Sequence, residues 1–114
     1  MLLQIAERLV EPDITVVELS GTLALGSESQ RIESLIEDLV IKGSRRIVLD
    51  MSGVDHTDSA GIGMVALAAG RLREAGGKLV VVAPEGRVLQ LLTQTQLTSI
   101  VKVAGTAADA VATV

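Results

Sequence analysis

The sequence predicts an α/β fold: a single-layer mixed, mainly parallel β-sheet, entered through an N-terminal antiparallel hairpin and covered by about four helices. Three observations carry this expectation. Short β-branched apolar runs alternate with segments of helical apolar spacing, the pattern of a sheet layered with helices. Two of the runs, Ile47-Val48-Leu49 and Leu79-Val80-Val81-Val82, contain no polar residue, as strands covered on both faces require. Finally, 48% of the chain is apolar and none of it is aromatic, so Leu, Ile, Val and Ala must fill the core. At 114 residues the chain is expected to form one domain, 1–114, burying roughly 65% of its unfolded surface.

The elements follow in order. Leu3, Ile5, Leu9 and Val10 lean toward period 2, and Glu11-Pro12-Asp13 is turn chemistry. Ile14 to Ser20 is a second, β-branched strand. The connection is too brief for a parallel crossover, so these two strands form a hairpin. Ser27 and Gln30 have capping-box spacing. Ile32, Leu35, Ile36, Leu39 and Val40 continue from them as one apolar helical stripe, which Gly43 closes. Arg45 to Asp50 is the next strand, flanked by a solvated or salt-bridged Arg45-Arg46 pair, and Met51 to Thr57 reads as loop. Ser59 stands at the N-cap position of a helix carrying Ile62, Val65, Ala66, Ala69 and Leu72. Gly76-Gly77 ends it, and Lys78 to Ala83 forms another buried strand. Pro84 opens a short helix with Val88, Leu91 and Leu92. Leu89, Leu91, Leu92 and Leu97 cannot all face inward from so short a segment, which predicts a small exposed apolar patch. Ser99 to Val103 reads as the last strand, and Thr106 with Asp109 starts an Ala-rich terminal helix.

Composition excludes several function classes. No Cys is present, which removes disulfides, thiolate nucleophiles and Cys-based zinc sites. Ten Lys+Arg against fourteen Asp+Glu leave a formal charge of −4, opposed to the clustered cations that bind a phosphate backbone. Missing aromatics exclude base stacking as well. The N-terminus lacks a basic stretch followed by a long apolar run. The longest uncharged run, Ser59 to Gly70, is shorter than the ~20 residues of a membrane helix. A cytoplasmic chain without membrane insertion or direct nucleic-acid contact is expected.

The chemistry concentrates in Leu49-Asp-Met-Ser-Gly-Val-Asp-His-Thr-Asp-Ser-Ala-Gly-Ile-Gly63. Asp58-Ser59-Ala60-Gly61 stands at a helix start, placing the Ser59 hydroxyl among unpaired N–H groups at the positive end of a helix dipole. A phosphate attached there would be tolerated by the helix. It would add about −1.5 to −2 of charge at one exposed point. Gly61 and Gly63 keep the first turn bare for an approaching surface. Such an arrangement describes a switch.

Four motifs in this order resemble the STAS family, and within it the bacterial anti-sigma factor antagonists: Ser20-Gly-Thr-Leu23, Ile47-Val-Leu-Asp50, Asp58-Ser-Ala-Gly-Ile-Gly63 and Gly76-Gly-Lys-Leu79. The resemblance spans nearly the whole chain. It implies that Ser59 is the phosphoacceptor of an anti-sigma factor, itself a serine kinase that sequesters a sigma factor. Unmodified, the protein would bind that kinase and release sigma. Phosphorylated, it would let go until a phosphoserine phosphatase restored it. The implied contact residues are Leu25, Gly26, Asp58, Ser59, Ala60, Gly61, Ile62 and Gly63. Where the family's early turn often reads G-x-L-D, this chain has Gly21-Thr22-Leu23-Ala24. The carboxylate is absent, and Leu25 and Gly26 make that rim more apolar. A monomer or weak dimer is expected, with no cofactor and no metal.

Other readings of the same residues stay open. The fold and Ser59 would equally suit a regulatory subunit of a stressosome-like scaffold or of a membrane transporter, which the captured partner would distinguish. Enzymatic use of Ser59 would need a base within reach. His56 is the one imidazole, and as a lone loop histidine it is expected to be solvated. No G-x-S-x-G elbow or phosphate-binding P-loop is present, so the chain is not expected to be an enzyme. If Ser59 is the cap, Ser59→Ala should fold normally and lose about 0.5–2 kcal/mol.

Overall fold

The computed structural model describes residues 3–23 and 27–114, with side chains from residue 30 onward in the second stretch. The elements are β1 (Gln4–Val10), β2 (Ile14–Leu23), α1 (Ser27–Ile41), β3 (Arg46–Thr57), α2 (Ser59–Glu74), β4 (Lys78–Val82), α3 (Arg87–Gln94), a 3-10 turn (Leu97–Ser99), β5 (Lys102–Ala104) and α4 (Ala107–Thr113). One five-stranded sheet has the order β1-β2-β3-β4-β5. β1 and β2 are antiparallel, and every later neighbour is parallel. The sheet is the mixed one the sequence predicts.

That strand order determines where the helices go. Each parallel crossover steps to the adjacent strand in the same direction, and right-handed crossovers therefore place α1, α2 and α3 on one face. Their buried residues, including Ile32, Ile36, Val65, Leu72, Val88 and Leu92, pack with Val17, Leu19, Ile47, Leu49, Leu79 and Val81 in one core. Fully burying each such side chain is worth about 1.5–3 kcal/mol. The opposite face carries Ile14, Val16, Val48, Val80 and Val82, which form a second, smaller core with Ala110 of α4. Alternation along each strand sends neighbours to opposite cores. The continuous apolar runs are thus explained, because both faces of β3 and β4 are covered.

Helix ends follow sequence chemistry. At the end of α1, Gly43 N–H donates to Val40 O and Ser44 N–H to Leu39 O, at 3.0 and 2.9 Å. The same pair recurs after α2, where Gly76 N–H reaches Arg73 O and Gly77 N–H reaches Leu72 O, at 3.0 and 2.7 Å. These are Schellman closures, and Gly76 supplies the positive φ of +83° that they need. Arg45 donates to Val40 O and Ser44 O, and Arg46 pairs with Asp13, as a salt-bridged strand edge should. Thr106 accepts from Asp109 N–H at 3.1 Å and starts α4. Pairing of the Ser27 and Gln30 side chains lies outside the described residues.

Several boundaries differ from expectation. β2 does not stop at Ser20, and β3 does not stop at Asp50. The stretch Met51–Thr57 is strand rather than loop, and Ser20–Leu23 is strand rather than turn. Register shifts between Glu18 and Ser20, and between Gly21 and Thr22, keep the two strands paired to Leu23 and Thr57. Because these bulges break the period of 2, Met51, Val54 and Thr57 are buried while 52, 53, 55 and 56 are exposed. α3 starts at Arg87 instead of Pro84, since Glu85-Gly86 forms a turn first. The expected last strand begins as the 3-10 turn, leaving only Lys102–Ala104 paired. The small exposed apolar patch expected among the leucines around α3 does not form. Leu92 and Leu97 are buried, and Leu89 and Leu91 are half-buried against the core.

At Gly77 the chain passes close to the start of β3. A Cβ there would lie 2.5 Å from Arg45 O, whereas one at Gly70, inside α2, would meet open space. Gly77→Ala should therefore cost about 1–3 kcal/mol, and Gly70→Ala should gain roughly 0.5–1 kcal/mol. Urea unfolding of both variants checks this, and equal shifts of the midpoint would refute the close approach.

Candidate functional site

The site is built where β3 hands over to α2. Thr57 is the last residue of β3 and pairs with Leu23, so the sheet holds the backbone up to the residue before the helix. Asp58 then turns out of the strand at φ −126° and ψ −173°. Its carboxylate accepts the Gly61 N–H at 3.0 Å, and its carbonyl accepts the Ile62 N–H at 3.1 Å. Asp58 is therefore the N-cap, bonded to the third helical residue as caps are. Ser59 is the first helical residue instead of the cap. This corrects the sequence reading. Two adjacent residues of cap-forming type offered two registers, and the burial of Gly61 and Ile62 selects the one that starts at Asp58.

The correction frees the hydroxyl. Ser59 is exposed, and the cap bond it was expected to make is made by its neighbour. With Gly61 N–H taken by Asp58, the N–H groups of Ser59 and Ala60 remain without intrahelical acceptors. The positive end of a 16-residue helix therefore lies at an exposed serine, beside the carboxylate of Asp58. Asp55 is also exposed nearby in sequence and accepts the Thr22 hydroxyl at 3.3 Å. His56 is exposed, as expected of a lone histidine.

The remaining predicted contact residues divide by burial. Ala60 is half-buried and Gly63 is exposed, with open space where a Cβ would stand. Gly61 and Ile62 are buried, so they shape the turn from beneath. A Cβ on Gly61 would lie 2.3 Å from Thr57 Oγ1 and 3.0 Å from Leu23 O. Its bareness serves the packing of α2 onto the strand ends, while that of Gly63 faces outward. Ala24, Leu25 and Gly26 lie outside the described residues.

Sequence reasoning missed Thr57. Its hydroxyl is buried and has no hydrogen-bond partner among the described residues. It lies directly under the Gly61 backbone, tying the last strand residue to the first helical turn through contact rather than a hydrogen bond. Once Asp50 is taken as the strand end, no local signal in Asp55-His56-Thr57 separates a buried hydroxyl from a solvated one.

Comparison with known proteins places this geometry in context. A family model described as STAS domain matches residues 6–110. A Bordetella bronchiseptica protein named as an anti-sigma factor antagonist, BtrV, is 39% identical over 54 residues, which span 47% of each chain. The match thus covers about half of that relative's length. Among solved structures, a Thermotoga maritima protein described as an anti-sigma factor antagonist superposes with a TM-score of 0.86 at 24% identity. That superposition covers 95% of this chain and 92% of the other. The Bacillus cell fate determinant SpoIIAA in its phosphorylated form gives a TM-score of 0.74 at 19% identity, covering 96% and 97%. At such identities the superpositions show the fold.

The cap assignment has a measurable consequence. Asp58→Ala should lose about 0.5–2 kcal/mol of stability, while Ser59→Ala should stay within about 0.5 kcal/mol of the parent. Thermal unfolding of the two variants separates them, and the reverse order would return the cap to Ser59.

Proposed function

We propose, from the premise that this chain belongs to the STAS domain family, that it is an anti-sigma factor antagonist switched by phosphorylation of Ser59. One observation carries the reading: the serine of the Asp58-Ser-Ala-Gly-Ile-Gly63 signature is exposed at the first position of α2 and has no part in capping it. The names of the Bordetella and Thermotoga relatives support the same class.

The physics of the switch is electrostatic. In the unmodified state the rim around Ser59, with Ala60 and Gly63, is small and uncharged apart from Asp58. A partner can approach closely, and little polar surface must be desolvated. A phosphoryl group on Ser59 adds about −1.5 to −2 of charge next to the Asp58 carboxylate. Removing that dianion from water into an interface is strongly unfavourable without cations to meet it. The cap survives the modification, since Asp58 keeps its bond to Gly61. The fold persists while the contact fails, as a reversible switch requires. The partner is an anti-sigma factor with serine kinase activity, and a phosphoserine phosphatase reverses the mark. The protein itself is a binding component, acting in the cytoplasm, with Leu25 and Gly26 completing the contact rim.

Affinity capture from the native cell with site mapping should recover a kinase-fold anti-sigma factor and a phosphate on Ser59. A scaffold or transporter partner with Ser59 unmodified would sink the reading. With the recovered partner, Ser59→Ala should bind constitutively and Ser59→Asp should bind at least roughly tenfold more weakly. Equal affinity of Ser59→Asp and the parent would count against an electrostatic switch. Ala24→Asp, which restores the family's carboxylate, should change the phosphorylation rate more than the unfolding midpoint.

A further inference from the structure

We propose that two copies of this chain associate through the free edge of β1, continuing the sheet across a two-fold axis at Ala6. The strand order leaves β1 and β5 at the two edges. β5 has only three residues, and so short an edge offers another chain little to pair with. β1 has seven, matched to β2 from Gln4 to Val10 without a register shift. Its outer row of backbone N–H and C=O groups faces no strand among the described residues. The strand contains neither Pro nor Lys, and with no bulge either, the usual devices that blunt an edge are missing. Only the charges of Glu7 and Arg8 stand in the way, and they select a register instead of blocking one.

In a continuous antiparallel sheet, residues directly opposite each other point to the same face. A two-fold axis must therefore pass through a residue, which then meets its own copy. An axis at Glu7 would oppose two carboxylates, and one at Arg8 would oppose two guanidinium groups. Like charges directly opposite destabilise a strand pair. An axis at Ile5 would pair only residues 4–6 of β1. The axis at Ala6 avoids all three faults. Ala6 meets the partner's Ala6, Ile5 meets the partner's Glu7, and Gln4 meets the partner's Arg8. Just beyond the strand, buried Leu3 comes opposite the partner's Leu9, an apolar neighbour for a residue otherwise 66% exposed.

Helix α1 points to the same axis. Arg31, Ser34, Leu35 and Asp38 line an open groove together with Ile5 and Glu7 of β1. Arg31 and Asp38 stand two helical turns apart, on one face. Both are exposed, and neither forms an ion pair among the described residues. A two-fold axis normal to the sheet reverses α1, which brings Arg31 toward the partner's Asp38 and Asp38 toward the partner's Arg31. The midpoint of this pair falls between Ser34 and Leu35, whose groove neighbours Ile5 and Glu7 flank Ala6. Strand and helix thus give self-complementary charge about one point. A ladder of this length with two rim ion pairs belongs among the transient interfaces, below ~1,200 Å² in total. Ser59 follows β3, two strands from β1, so the pairing leaves it uncovered and does not rest on the switch.

Sedimentation velocity of the full chain from roughly 10 µM to 1 mM covers the range of a transient interface, and a reversible monomer–dimer equilibrium is expected. The chain has no Cys, so one introduced thiol reports the register. Directly opposed Cβ atoms lie about 4.5–5.5 Å apart. Under mild oxidation Ala6→Cys should therefore form a covalent dimer at least roughly tenfold faster than Arg8→Cys, or than Lys102→Cys on the short edge, whose thiols meet only by collision. Arg31→Glu should weaken the dimer roughly tenfold and leave the fold intact by thermal unfolding. Adding Asp38→Arg to it should restore the dimer, as only reciprocal contact between copies allows. A monomer over the whole concentration range would overturn the proposal. So would a dimer indifferent to Arg31→Glu, or cross-linking of Ala6→Cys no faster than that of Lys102→Cys. Faster cross-linking through Arg8→Cys than through Ala6→Cys would also overturn it, by moving the axis.

Discussion

The position of Ser59 depends on the pairing of β2 with β3 beyond Asp50. Without that extension, the eight residues Met51–Asp58 would separate the sheet from α2, and the helix start would be held only by its own cap. With it, pairing of Gly53, Val54, His56 and Thr57 with β2 holds the backbone to the sheet as far as Thr57. The last restrained residue is followed by Asp58, whose side chain closes the helix at once. Strand pairing, capping and the Thr57–Gly61 contact therefore act in series over five residues. The same series presents a serine in a defined orientation without using its hydroxyl.

Most of the architecture was legible because its signals are periodic. The stripes in α1 and α2, the two double-sided strands and the Gly-terminated helix ends each depend on residues within one element. What escaped was non-local. Ser52-Gly53 and Asp55-His56-Thr57-Asp58 look like loop because their polarity has no strand period, yet β2 supplies a partner and the bulges absorb the mismatch. The cap was displaced by one residue for a related reason. Asp58 and Ser59 are equally good caps by composition, and only the burial of Ile62 and Gly61 against Leu23 decides between them. The leucines around α3 could not be sorted, because the 3-10 turn that buries Leu97 has no pattern to announce it. The D-S-A-G-I-G stretch, by contrast, was readable as a helix start carrying a modifiable group, and that reading needed no knowledge of the pairing.

Charge is distributed along α2 in a way that serves both ends. Its first turn carries no acidic side chain, the carboxylate being on the cap, and its last turn carries Arg71 and Arg73. The helix dipole is thus matched at both ends. At the Ser59 end, the single cap bond made by Asp58 leaves the serine exposed at the first helical position. At the other end, Arg71 pairs with Glu37 and Arg73 donates to Ile100 O.

The second core has a temporal consequence. Ile14, Val16, Val48, Val80 and Val82 belong to strands that emerge early from the ribosome, but α4, which shields them, is synthesised after all of them. The face covered by α1 to α3 can close crossover by crossover as the chain lengthens. The other face stays uncovered until α4 clears the exit tunnel, so for that interval the nascent chain presents a valine-rich sheet surface of the kind chaperones bind.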